Sequence, residues 1–203
     1  MTPHLVTLLD LKNQDDLLSL LNRFADIGGV IDYVPLPFSG TPNQNDHYQA
    51  ALRAMGLIDE GYKHWAAEYA TESRPESSFF TLTQDDSKLK GDRIQFSEFW
   101  GSNNVSKRKV GPNSWTIPNV DGYKGCFFLP PYGLYGNEDF SALFDEINFN
   151  LFGVEPERWV IYRWSTDWSN YFDAGHEWWG AFYWTVYSAE TSLLTTVGAS
   201  STD

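Results

Sequence analysis

The sequence predicts an α+β fold, an antiparallel sheet of about five or six strands with helices packed on it. Three observations predict it. The first seventy residues carry apolar side chains at helical spacing between capping residues and glycines. The last fifty alternate β-branched and aromatic residues with a period of two, and between these regions lies one well-capped helical run. A chain of 203 residues suits a single domain, 1–203, whose core needs no metal or disulfide support. Within it, residues 1–72 read as the helical part and 76–203 as the sheet-forming part, with one helix at 138–152.

VTLLDLK (6–12) reads as a short strand leading into the first helix. Asn13 is placed to cap that helix, Asp15 and Asp16 suit the dipole in its first turn, and Leu17, Leu20, Leu21 and Phe24 form its stripe. Gly28-Gly29 ends it. VPLPFSGTPNQN reads as a proline-rich connection to a second helix striped by Tyr48, Ala51, Leu52 and Met55, with Gly56 as its stop. A third helix is expected from about Asp59 to Ala70, with Tyr62, Trp65, Ala66 and Tyr69 on one face. His47 and His64 fall in or beside these helices and read as packed or exposed helix residues.

Beyond Arg74-Pro75 the pattern changes. SFFTLT (78–83), RIQFSEFW (93–100) and KGCFFLPPYG read as strands, and residues 101–123 as a long loop rich in Gly, Asn, Ser and Pro. The helix at 138–152 is capped by Asn137, striped by Phe140, Leu143, Phe144, Ile147 and Leu151, and closed by Gly153 and Pro156. WVIYRWS (159–165) and GAFYWTVYS (180–188) are apolar on both faces, as strands covered on both sides of a sheet must be. SAET then turns the chain into SLLTTVGAS (192–200) to make a C-terminal hairpin.

Charge narrows the partners. The net charge of −13 divides as −7 over residues 1–100 and −6 over 101–203, so neither half offers the clustered Lys and Arg that phosphate contacts need. Lys107-Arg108-Lys109 reads as a solvated loop. No nucleic-acid or membrane partner is expected, since no stretch approaches the roughly 18 apolar residues that span a bilayer. No basic run precedes an apolar one at the N-terminus, so a soluble cytoplasmic protein is expected, and Asn104-Val105-Ser106 reads as an accidental glycosylation sequon. The single Cys126 excludes an intrachain disulfide and reads as a small buried hydrophobe.

Chemistry concentrates in DWSNYFDAGHEWWG, which sits between the two strongest strands. His176-Glu177 begins like H-E-x-x-H, but Gly180 stands where the second histidine belongs, so the zincin geometry is missing. Asp173, His176 and Glu177 could together offer two oxygens and a nitrogen to a metal ion, though this combination is common by chance; no metal and no cofactor is expected. The paired carboxylates Asp167, Asp173 and Glu177 beside Trp168, Trp178 and Trp179 would also serve a carbohydrate-active protein, either a glycoside hydrolase or a sugar-binding module. In a protein-binding face, Asp167, Asp173 and Glu177 make charge-assisted contacts while Trp168, Tyr171 and Trp178 act as anchors. The competing structural account assigns Trp164, Trp184 and one of Trp178 and Trp179 to the core, loop hydrogen bonds to Asp173 and Asn170, and the turns to Gly175 and Gly180.

The run WSTDWSNYFDAGHEWWGAFYWTVY, with LPPYG before it and VGASSTD after it, resembles a group of small, acidic, uncharacterised bacterial proteins. Some of these resemble immunity proteins of polymorphic toxin systems. The resemblance covers residues 124–203 and carries no catalytic residue. It implies a non-enzymatic protein that neutralises a basic toxin.

Overall fold

The computed structural model describes residues 14–102, 106–110 and 115–200. The element order is α1 (Gln14–Asp26), β1 (Ile31–Pro37), α2 (Gln44–Tyr69), β2 (Gly91–Ile94), α3 (Phe96–Trp100), β3 (Ser106–Val110), β4 (Trp115–Asn119), α4 (Tyr123–Phe128), α5 (Phe140–Phe152), β5 (Val160–Trp164), α6 (Asp173–Glu177), β6 (Ala181–Ser188) and β7 (Leu193–Ser200). An antiparallel five-stranded sheet runs in the order β1-β7-β6-β5-β2, and β3 and β4 pair as a separate hairpin. The α+β class is as expected.

The sheet separates two apolar cores, because its middle strands alternate large side chains to both faces. Trp184 and Val186 of β6 point to one core with Ile161 and Val197, covered by α1, α3, α4 and α5. Tyr183 and Tyr187 point to the other with Trp164 and Leu194, covered by α2. Both faces of β5 and β6 are covered, as their two-sided apolar pattern requires. In α1, Leu17, Leu20, Leu21 and Phe24 are all buried, as their spacing requires.

Several local expectations are corrected. Ile31–Pro37, half of it read as connection, is an edge strand paired from Ile31↔Ala199 to Pro37↔Leu193, so the helical part contributes to the sheet. Pro35 and Pro37 are compatible with this position because an edge strand has one side free of ladder bonds. The second and third helices are one, α2, running through Gly56. A mid-helix glycine costs about 1 kcal/mol. Burying Ala51, Ala54, Met55 and Ile58 on the sheet offsets that cost. RIQFSEFW is split: β2 ends at Ile94, and a capping box of Gln95 and Glu98 opens α3. Residues 79–83 form no strand, and the segment Glu76–Ser78 is a single 3-10 turn.

KGCFFLPPYG contributes a helix instead of a strand. In α4, Tyr123, Cys126 and Phe127 are buried at positions i, i+3 and i+4, a helical period inside a run too apolar to show it. Burial also raises the Cys126 thiol's pKa. Asp139 caps α5 in place of Asn137, accepting from the Ser141 and Ala142 amides at 3.0 and 3.1 Å. The expected loop 101–123 contains the β3–β4 hairpin, with Lys107-Arg108-Lys109 in β3. Residues 6–12, the Asn13 cap and most of the sequon lie outside the described residues.

His47 joins α2 to the sheet. Its ring is wholly buried, with Nδ1 2.8 Å from Thr185 Oγ1, while Trp164 Nε1 donates to the same hydroxyl at 2.9 Å. The indole can only donate, so Thr185 accepts from it and can turn its own proton to Nδ1 of a neutral His47. Burial chiefly, with Arg93 acting the same way against Asp46, lowers the imidazole pKa to about 4. Between the ordinary value of 6.5 and about 4 the unfolded chain takes up a proton that the folded chain refuses. Stability therefore falls as pH drops through that window, by up to about 3 kcal/mol, and this contribution is flat below it. Urea unfolding at stepped pH should show wild type losing about 3 kcal/mol relative to a His47→Leu variant between pH 7 and 4; parallel curves would contradict the assignment.

Candidate functional site

The segment between β5 and β6 leaves the sheet at Ser165 and is tied down at every few residues. Ser165 N donates to Lys90 O at 2.7 Å and Ser165 Oγ to Lys88 O at 2.9 Å, fixing the exit beside the start of β2. Trp168 is 2 % exposed, set against Phe172 and Tyr183 with ring centroids at 6.4 and 5.9 Å. Its carbonyl accepts from Asp85 N at 2.7 Å. The Asn170 side chain accepts from Thr83 N at 2.8 Å and donates to Thr81 O at 3.0 Å, which holds the irregular 79–83 segment in place of a strand ladder.

Tyr171 is also buried. Its hydroxyl donates to Asp32 Oδ2 on β1 at 2.6 Å, and burial, reinforced by the Asp32 charge, raises its pKa well above 10. The 3-10 turn Asn170–Phe172 then passes into α6. A Cβ on Gly175 would lie 2.2 Å from Gly180 O and 2.7 Å from Ser200 Oγ, so only glycine allows α6 to press against β7. Trp179 is 1 % exposed, and its indole donates to Leu129 O at 2.8 Å. Thr166 Oγ1 and His176 Nε2, 2.7 Å apart, close the loop across its mouth.

The six predicted face residues divide in two. Trp168 and Tyr171 are not anchors for a partner; the loop needs their apolar area and the Tyr171 hydroxyl to pack onto the sheet, so both belong to the α2-side core. Asp167, Asp173 and Glu177 are exposed, and none forms an ion pair among the described residues. Trp178 is half-buried, its ring centroid 5.5 Å from that of Tyr132 at an interplanar angle of 45°. Trp164, Trp184 and Trp179 are core and Asn170 is a loop clamp, as the structural account of these residues expects.

Chemistry beyond binding finds little to build on here. Among the described residues no three His, Cys, Asp or Glu side chains gather to hold a metal ion, so Asp173, His176 and Glu177 do not converge as one. With Trp168 and Trp179 buried, two of the three rings expected to carry a sugar are out of reach. An open depression of about 490 Å³ lies elsewhere, between the first turn of α2 and β2, with Gln44, Asn45, Tyr48, Lys90 and Trp164 in its wall and no carboxylate. No family model, curated protein or solved structure matches the chain.

Tyr132 is the member of the face that sequence reasoning missed. It is 69 % exposed, although KGCFFLPPYG reads from sequence as a strand. Pro130-Pro131 followed by Tyr-Gly is a turn signal, and Gly133, at φ 75°, donates its amide to Pro130 O at 3.0 Å to close that turn. Trp168→Ala should cost about 3–5 kcal/mol of folding stability in urea unfolding. Asp173→Asn and Glu177→Gln should each stay within about 0.5 kcal/mol. Comparable losses in all three would mean that the acids hold the loop together.

Proposed function

We propose that the protein is a non-enzymatic binding protein, an immunity or inhibitor protein that neutralises a basic toxin with the acidic, Trp-rich 167–179 loop. One observation carries the reading: Asp167, Asp173 and Glu177 are exposed and without ion pairs among the described residues, on a loop whose intervening aromatic residues are sunk in the core. Charges on a fixed frame meet a partner without the ordering cost that a floppy acidic loop would incur. The net charge of −13 steers a cationic protein toward the molecule before contact. Trp178 and Tyr132 supply ring surface beside the acids, the residue types on which interface energy concentrates.

On this reading the partner is a protein with a cationic active surface, whose site the acids cover as substrate phosphates would. The setting is the bacterial cytoplasm, where such a toxin must be held inactive. The two best nucleophile candidates are otherwise engaged: Cys126 is buried with a raised pKa, and His176 is bonded to Thr166.

The test compares wild-type bait with an Asp167→Asn/Asp173→Asn/Glu177→Gln triple variant in host lysate, then co-expresses any retained protein with each. The expected result is a basic protein held by wild type, weakened at least about 30-fold by the triple variant, and toxic unless wild type is present. Retention that ignores the substitutions, or a retained protein that is acidic, would contradict the reading.

A further inference from the structure

Trp168 and Tyr171 are sunk in the core and cannot seat a partner, but a second set of rings borders the acidic loop. On α2, Tyr62, Trp65 and Tyr69 fall at i, i+3 and i+7, so they share one stripe of the helix, which runs past Ala66, the last buried residue of α2. The chain then turns back over that stripe. Thr71 and Arg74 exchange amide bonds at 2.9 and 3.1 Å, and Phe79 N donates to Glu76 O at 3.0 Å. Phe79 meets Trp65 edge-on with centroids 5.0 Å apart, Phe80 meets Tyr62 at 5.3 Å, and Trp65 lies 5.7 Å from Tyr69. Phe79 and the half-buried Trp65 form the backing, while Phe80 and Tyr69 stay 45 % and 56 % exposed.

The backbone joins these rings to the loop. Residues 81–85 run antiparallel along 168–170: Asp85 N donates to Trp168 O at 2.7 Å, Gln84 bridges Ser169, and Asn170 N donates to Thr83 O at 3.2 Å. The Asn170 side chain reaches on to Thr81 O at 3.0 Å. Phe80 follows at the end of this ladder where the loop continues toward Asp173, and Asp85 stands at the end nearer Asp167.

Resting on the binding role above, we propose that Phe80 and Tyr69 are apolar anchors on which the basic partner seats while Asp167 and Asp173 engage its cations. An interface needs a desolvated apolar centre beside its charges, and large rings carry most of the energy of such centres. Charge selects the occupant. Glu68, Glu72 and Glu76 are exposed on the same end of α2 and the turn after it, and none is in an ion pair among the described residues. The cations there are engaged: Arg74 lies over the Phe79 ring at 4.1 Å from its centroid, and Lys63 pairs with Asp59. A second copy of this chain carries the same charge of −13 and would set acid against acid. The surface therefore fits a cationic protein with an apolar patch and not a homodimer.

The test titrates the full chain at low salt with octa-lysine and with an amphipathic leucine–lysine peptide of the same charge, following backbone amides by NMR. The expected result is at least about tenfold tighter binding of the amphipathic peptide, with the Thr81 and Asn170 amides shifting. Phe80→Ser/Tyr69→Ser should remove that difference and leave octa-lysine binding unchanged, whereas Phe80→Leu/Tyr69→Leu should keep it. Asp167→Asn/Asp173→Asn should weaken both peptides. Because both rings are exposed, the serine variant should keep the wild-type melting temperature, which separates loss of the anchors from loss of the fold. Equal binding of the two peptides, or a difference that survives the serine variant, overturns the anchors; the acidic face still stands if the asparagine variant releases both peptides. An amphipathic peptide held by the rings but indifferent to the asparagine variant overturns the joint surface. If neither peptide binds, anchors and acidic face both fall.

Discussion

The burial of β6 on both faces is the constraint from which the rest of the structure follows. Tyr183 and Trp184 are neighbours in the chain, each buried, in opposite cores. A strand in that position cannot lie at an edge or face water on one side, so it needs a hydrogen-bonded strand on each flank and helices above and below. β5 and β7 provide the flanks, α2 covers one face, and α1, α3, α4 and α5 cover the other. β1 then closes the β7 side, bringing the N-terminal third of the chain against its last described residues.

Rings this numerous bring polar atoms into the interior, and the fold answers many of them individually, while the indole N–H groups of Trp159 and Trp168 and Nε2 of His47 are buried without a hydrogen-bond partner among the described residues. Tyr33 and Tyr123 share a hydrogen bond at 3.0 Å, Tyr183 donates to Ala51 O at 2.6 Å, and Tyr187 to Gly40 O at 2.5 Å. Each of these ties the sheet to a different neighbouring segment. The His47–Thr185–Trp164 group does the same between α2, β6 and β5. Buried hydroxyls with fixed partners specify one arrangement of the aromatic core, where apolar rings alone would tolerate several.

What could be read from the sequence follows the physics of period and burial. β5, β6, β7, α1 and α5 were legible because one repeat ran uninterrupted through each. The edge strand β1 was hidden by Pro35 and Pro37, which signal a loop unless the strand's one free side is known. α4 was hidden for the opposite reason: in KGCFFL nearly every residue is apolar, so a helical stripe has no polar background. Gly56 looked like a stop because local propensity was weighed without the sheet beneath α2. At the candidate face the charge pattern marks Asp167, Asp173 and Glu177, which are exposed, but it does not distinguish a ring that anchors the loop, Trp168, from one left half-buried, Trp178. Sequence also could not pair Trp178 with Tyr132, because that contact depends on where the 129–135 turn lands.

The acids at 167, 173 and 177 are useful to a partner only if the loop that carries them belongs to the core. Its inward residues, Trp168, Tyr171, Phe172 and Trp179, alternate with the outward ones, so fixing one set positions the other. Native-state hydrogen exchange tests this most directly. The amides of Asn170, Phe172, Trp178 and Gly180, each bonded to a backbone carbonyl, should exchange nearly as slowly as those of β6 and β7, through opening of the whole domain. If those four amides exchange orders of magnitude faster than the central strands, the loop opens independently of the core and the account of a preset acidic face is wrong.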